Sequence, residues 1–189
     1  MADHLERVVV WKSHAINGAD YCALRRTAEG WLLKGSVIGV LGGQRPMLAS
    51  YEVCCDEKWL TRRVHLERTI DNDTKRLSLS VESGGLWRSS GQEVPEVRGL
   101  LDVDLAVTPA TNTLPIRRLD LGIGRSESVS AAWIKFPELE MQLLCQRYTR
   151  IARNIYQYES DTGFQSEITV DDLGLVVTYD GGWERIAAW

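Results

Sequence analysis

The residues in this chain that could do chemistry are few. Three histidines occur, His4, His14 and His65. They form no HExxH pattern, zinc set or triad spacing. His65 falls on the more polar face of a strand pattern and reads as a surface histidine, because an isolated imidazole needs an oriented partner to act as a base. Asp102 and Asp104 stand at i and i+2, so on a strand they share a face. Two such carboxylates suit acid–base work or cation binding. They equally suit a solvated strand face, with Asp104 accepting hydrogen bonds near a helix start. Gly122-Ile123-Gly124-Arg125-Ser126 is glycine-rich, but it follows a helix and precedes a strand. Phosphate-cradling loops run the other way, so this segment reads as a helix stop and turn.

A second group is basic and aromatic. Arg62-Arg63, Arg117-Arg118, Lys135, Arg147 and Arg150 interleave with Trp133, Tyr148, Tyr156 and Tyr158. Together they could form the polar end of a cavity. Aromatic faces stack on sugar rings or cover acyl chains, and guanidiniums grip phosphate or sulfate with paired hydrogen bonds. The same residues could instead be cross-strand ion pairs on a solvated face. Arg62 is the most informative, because strand alternation puts it on the more apolar face with Leu60, Val64 and Leu66. Its stem then packs while its head reaches a rim or a carboxylate such as Asp56, or it awaits an anionic or hydroxyl-rich ligand. Cys22, Cys54, Cys55 and Cys145 lack metal-ligand spacing and read as small core or strand residues. No metal or cofactor is expected.

The elements that must position these residues are mostly strands. Arg7–Trp11, Ala19–Thr27 and Trp31–Leu41 are separated by Asn17-Gly18 and Glu29-Gly30, strong turn signals, and predict a meander. Met47, Ala49, Tyr51, Val53 and Cys55 alternate with polar neighbours, as do Leu77, Leu79 and Val81. Ser89–Arg98 is polar and reads as a loop. Gly99–Val107 is a further strand candidate, and Glu127–Phe136 is apolar on both faces, as in a covered strand. Cys145–Ser160 reads as one extended stretch. Sixteen such residues would span ~50 Å, so the strand is expected to bend at a bulge. One helix stands out between Thr111 and Leu121. Thr111 and Asn112 suit its cap, Pro115 suits an early position, and Gly122 and Gly124 can stop it. The tail from Gly181 to Trp189 is apolar and aromatic. Ten or more strands with one helix imply a mainly β barrel, roll or sandwich.

The length of 189 residues suits one domain over 1–189 with a full core. A formal net charge of −4 argues against non-specific nucleic-acid binding. The N-terminus has no apolar segment of a secretory signal, no run approaches transmembrane length, and the cytoplasm is the default location.

Several segments carry a family resemblance. TPATNTLPIRRL (Thr108 to Leu119), AAWIKFPEL (Ala131 to Leu139) and QRYTRIARNIYQYES (Gln146 to Ser160) are similar to signature segments of the glycolipid-binding family, formerly a domain of unknown function. So are CDEKWLTR (Cys55 to Arg62), the opening VVVWKSHAINGADYCAL (Val8 to Leu24) and the ending GFQSEITVDDLGLVVTYDGGWER (Gly163 to Arg185). The match runs in order along nearly the whole chain and is weakest from Glu82 to Arg98. It implies a spiral β-roll, a long antiparallel sheet wrapped around a single α-helix, that forms a homodimer and resembles bacterial lipoprotein carriers. It carries over no catalytic residues.

The expected function is non-catalytic binding of a lipid or glycolipid. Leu114, Ile116, Leu119, Trp133 and Tyr148 are expected at a cavity wall or in helix packing, and Arg62, Arg117, Arg118 and Arg150 at a polar head group. A helix that fills the roll takes the space an acyl chain would need, so a lipid would require a shifted helix or a groove beside it. Two rivals stand. One is an enzyme acting on a sugar or lipid derivative through Asp102, Asp104 or His65. The other is a structural homodimer without a small ligand, joined through the Trp183–Trp189 tail.

Overall fold

Alternating apolar residues and frequent turns assemble fifteen strands into one sheet in the computed structural model, which describes residues 3–189. Strands β1 (His4–Ser13), β2 (Gly18–Thr27), β3 (Gly30–Leu41), β4 (Arg45–Cys55), β5 (Thr61–Ile70), β6 (Asp73–Glu82), β7 (Leu86–Ser89) and β8 (Gln92–Glu93) form one meander. A second follows the helix as β10 (Ser126–Ile134), β11 (Met141–Ala152), β12 (Ile155–Ser160), β13 (Gln165–Val170), β14 (Val176–Tyr179) and β15 (Trp183–Ala188). The expected apolar tail is therefore itself a strand, and β15 joins the two meanders by pairing antiparallel with β1. Strand β9 (Asp102–Leu105) lies parallel to β10 at one edge. No helix is long and apolar enough to cross a membrane among the described residues.

The sheet curls because its two halves are tied together. The Thr61 N–H donates to the Leu101 carbonyl at 3.1 Å. Trp87 Nε1 donates to Leu100 O at 2.9 Å, and Arg68 Nε donates to Pro137 O at 3.0 Å. Strands β5 and β7 are thus fastened to segments flanking β9 and β10. The inner face carries the alternating residues. On β4 these are Met47, Ala49, Tyr51, Val53 and Cys55, all buried.

Inside the curl lies the α-helix α1 (Thr113–Leu119), preceded by a 3₁₀ turn at Ala110–Asn112. Seven residues are too few for a helix to persist alone, so its stability comes from packing. Leu114 is fully buried and Ile116 nearly so, both within the main core. Burying each such side chain contributes roughly 1.5–3 kcal/mol. Leu119 is only half-buried. The expected caps work differently. Thr111 Oγ1 accepts the Leu105 N–H at 3.2 Å, and the Asn112 amide is taken up by Tyr148 and by Pro109 O. Neither caps α1, because tertiary partners use these side chains. The helix ends at Asp120, which takes the left-handed conformation (φ 40°), before the glycines are reached.

Two further expectations change. The stretch Cys145–Ser160 is no single bent strand. It turns tightly at Arg153-Asn154, and β12 folds back so that Gln146 pairs with Ser160. Arg62 does not share the apolar face, because it is the extra residue of a β-bulge between Thr61 and Arg63.

One close contact on the inner face is demanding. Tyr51 reaches over Gly35, whose missing side chain leaves the room; a Cβ there would lie 2.3 Å from the Tyr51 hydroxyl and 2.6 Å from Tyr21 O. Gly35→Ala is expected to destabilise the fold by about 1–3 kcal/mol or more, as overpacking of a close-packed core does. Urea unfolding of the purified variant measures this; an unchanged midpoint would contradict the packing described.

Candidate functional site

Asp104 projects from β9 on the same inner face as Asp102, but their surroundings differ. Arg118 of α1 grips Asp102 through Nε at 3.1 Å and Nη2 at 2.5 Å. Burial pushes the Asp102 carboxyl up, and the Arg118 hydrogen bonds and charge pull it only part of the way back. This buried pair joins β9 to the helix and engages both carboxylate oxygens of Asp102. Among the described residues, Asp104 meets no cation. Gln146 Nε2 donates to it at 2.5 Å and lies 3.1 Å from Tyr158 Oη. Burial pushes the Asp104 pKa up to about 6, against the opposing Gln146 hydrogen bond.

Asp104 opens into a cleft of about 200 Å³. Strands distant in sequence supply its aromatic walls: Trp133 from β10, Tyr158 from β12, Phe164 before β13, Tyr179 from β14 and Trp183 from β15. Tyr158 packs edge-on against Tyr148 and Tyr179, with ring centroids 5.2 and 6.0 Å apart. Phe164 lies 5.9 Å from Tyr179 and is 47% exposed, so it forms the outer rim. Lys135 Nζ lies 5.1 Å from the Trp133 ring centre. The polar lining includes Asn112, whose Oδ1 accepts the Tyr148 hydroxyl at 3.0 Å, and Thr108. Flat aromatic faces beside a carboxylate, an amide and hydroxyls suit a ring-shaped, hydroxyl-rich ligand.

Thr108 links this cleft to a second buried carboxyl group. Its Oγ1 donates to Asp20 Oδ2 at 2.5 Å, and Tyr51 Oη donates to the same oxygen at 3.1 Å. Asp20 is fully buried, and burial pushes its pKa up to about 8 despite both hydrogen bonds. Residue-type reasoning passed over this trio. The available signal was parity, since Asp20 alternates in phase with Cys22 and Leu24, both buried. Gln146 carried the same signal, lying between inward-facing Leu144 and Tyr148.

The remaining expected site residues separate into several places. Trp133 walls the cleft, and Tyr148 lies behind it. Leu114 and Ile116 pack the core. Arg117 and Arg150 line another cleft at the far end of α1, together with Ile116. Arg118 holds Asp102, and Arg62 donates to Asp56 at 2.6 Å. Burial alone would raise the Asp56 pKa. Hydrogen bonds from Arg62 and from the Leu60 and Lys58 amides hold it below the ordinary value. Arg62 therefore braces the 56–60 turn. His65 bonds Ser78 at 2.9 Å and lines a different depression from Asp104.

Comparison with known proteins fits this architecture. A family model described as "Putative glycolipid-binding" matches residues 8–185. The chain belongs to this family. A DUF1089 family protein from Pseudomonas aeruginosa shares 29% identity with this glycolipid-binding family member at a TM-score of 0.80, over 88% of this chain and 92% of that one. A beta-barrel-like protein of DUF1849 from Brucella abortus is similar at a TM-score of 0.60 over 97% of both chains. At 8% identity, that likeness shows the fold alone. Among curated proteins no match is found.

The Asp20 environment makes stability depend on pH. Its folded pKa of about 8 lies above the ordinary 3.8, so the fold favours the protonated acid. That contribution is complete below about pH 4 and is lost as pH rises towards 8, at up to ~1.4 kcal/mol per pH unit. Asp20→Asn stays neutral and is expected to lose less stability between pH 5 and pH 8 than the wild type in urea unfolding. Parallel losses in the two proteins would contradict the assignment.

Proposed function

We propose that this protein binds a glycolipid without chemical turnover and that the cleft around Asp104 receives the sugar. The carrying observation is the placement of Asp104 among the rings of Trp133, Tyr158 and Tyr179, with Asn112 beside them. Sugar hydroxyls donate to a carboxylate, and the C–H faces of a sugar ring pack on aromatic rings. Family membership supports the ligand class.

The lipid portion has no room along the axis of the roll, where Leu114 and Ile116 pack against the strands. In this reading the chain leaves the cleft past exposed Phe164. Each covered CH₂ contributes ~0.8 kcal/mol, so a short covered stretch at the rim already adds affinity. In this reading a second copy covers the outer sheet face, where Tyr21, Ile38, Leu48, Ile186 and Trp189 are exposed.

The raised Asp104 pKa also favours an enzyme, since a carboxylate tuned towards neutrality can serve as a general acid. Glycoside hydrolysis by a carboxyl pair needs a second free carboxyl group. Asp102 is committed to Arg118, and Asp20 is enclosed behind Thr108. Binding is therefore the better reading.

Octyl glucoside below its micelle concentration is a suitable probe, followed by tryptophan fluorescence. Asp104→Asn and Trp133→Ala are each expected to weaken binding about tenfold, the scale of one lost charge-assisted hydrogen bond or ring contact. Wild-type affinity should fall below about pH 6, as Asp104 takes up a proton, loses its charge and becomes a weaker acceptor for hydroxyls. Unchanged affinity in both variants would reject this site.

A further inference from the structure

The cleft at the other end of α1 has a different chemistry. It measures about 230 Å³ and lies between Arg117, the turn Arg153-Asn154 and the acidic pair Asp171-Asp172. Its notable feature is how the arginines are held. Arg150 donates through Nη1 to Leu121 O at 2.6 Å, and through Nε and Nη2 to Arg153 O at 3.1 and 2.5 Å. Its guanidinium carbon also lies 5.7 Å from the Tyr156 ring centre. Arg117 donates to Asp172 O at 3.3 Å and lies 5.8 Å from the Trp59 ring centre.

These contacts fix the guanidiniums without neutralising them. Among the described residues, Arg117, Arg150 and Arg153 have no carboxylate within ion-pair distance, whereas Arg7 has two and Arg62, Arg68, Arg118 and Arg185 have one each. The nearby acids do not make up the deficit. Asp171 already accepts from Arg7 at 3.3 Å, from Arg185 at 2.6 Å and from the Leu173 and Leu175 amides at 3.0 Å each. Asp172 receives Arg7 at 3.4 Å. Counting Arg7 and Arg185, five guanidiniums stand against Asp120, Asp171 and Asp172, a local charge of +2 on a chain of net −4. A guanidinium has five N–H donors, so Arg150 keeps two after its backbone bonds. Held planar and charged, such groups match the oxygens of a tetrahedral anion.

We propose that this cleft is a phosphate subsite, with Arg117, Arg150 and Arg153 as its donors and Asn154 beside them. It takes the phosphate group of a soluble phosphate or phosphate ester, or that of a phospholipid head. The site is separate from the aromatic cleft and does not depend on the sugar reading.

The test titrates inorganic phosphate by ³¹P line broadening and, in parallel, measures co-sedimentation with vesicles of phosphatidic acid in phosphatidylcholine. Saturable binding of inorganic phosphate identifies a soluble source. Binding to phosphatidic acid vesicles alone identifies a lipid head group. Either result, weakened about tenfold in the Arg117→Gln/Arg153→Gln double variant and unchanged in Trp133→Ala, supports the subsite. Arg153 is exposed, so Arg153→Gln alone serves if the double variant fails to fold. No binding of either probe would overturn the proposal. Displacement of phosphate by equimolar chloride, or equal binding by the arginine variants, would also overturn it.

Discussion

The structure depends on keeping a seven-residue helix inside a curled sheet. A helix of that length has no stability of its own, so the chain secures it at every level. Leu114 and Ile116 fill the core, Arg118 reaches back to buried Asp102, and Thr113 Oγ1 donates to Gly174 O at 3.1 Å. The 3₁₀ turn before the helix is held by the Thr111 and Asn112 side chains. These anchors tie the helix to the β9–β15 half of the sheet, and Thr108, just before the 3₁₀ turn, reaches Asp20 and Tyr51 in the β1–β8 half. Burying the Asp102–Arg118 pair carries a large desolvation cost, and its two hydrogen bonds fix the angle between helix and sheet edge.

This arrangement places the two candidate clefts at opposite ends of one segment. Thr108 and Asn112 precede the helix and face the aromatic cleft, while Ile116, Arg117 and Asp120 face the cationic one. The first offers an acid, an amide and ring faces without a cation bound to the acid. The second offers guanidiniums held by carbonyl groups. With the roll axis filled, the two clefts are the proposed places for polar ligand groups. The likeness to a beta-barrel-like fold therefore does not by itself imply an acyl chain in the interior.

Much of the scaffold was legible from residue order. Alternation on β4 and β6, the Asn17-Gly18 and Glu29-Gly30 turns, and the helix around Leu114 all follow from local physics. The Arg153-Asn154 turn was hidden because it lacks glycine or proline and because aromatic and β-branched residues continue on both sides. The Arg62 bulge was hidden for a related reason, since strict alternation cannot show where one residue is extra. The aromatic cleft was only partly visible. Asp104, Trp133 and Tyr148 stood out by type, but Asp104 meets Gln146 across 42 positions, and only the fold brings them together. Asp20 was readable as a carboxylate in phase with buried neighbours. Its partners Tyr51 and Thr108 were not, because they lie 31 and 88 positions away.

The central claim is that the sugar enters the cleft and the hydrocarbon stays at its rim, since the helix occupies the roll. Saturation-transfer difference NMR with octyl glucoside tests this directly, because it reports which ligand protons contact the protein. Strong transfer to the sugar ring protons, fading along the octyl chain, is the result the structure predicts. Transfer confined to the octyl chain, with a silent sugar ring, would contradict it.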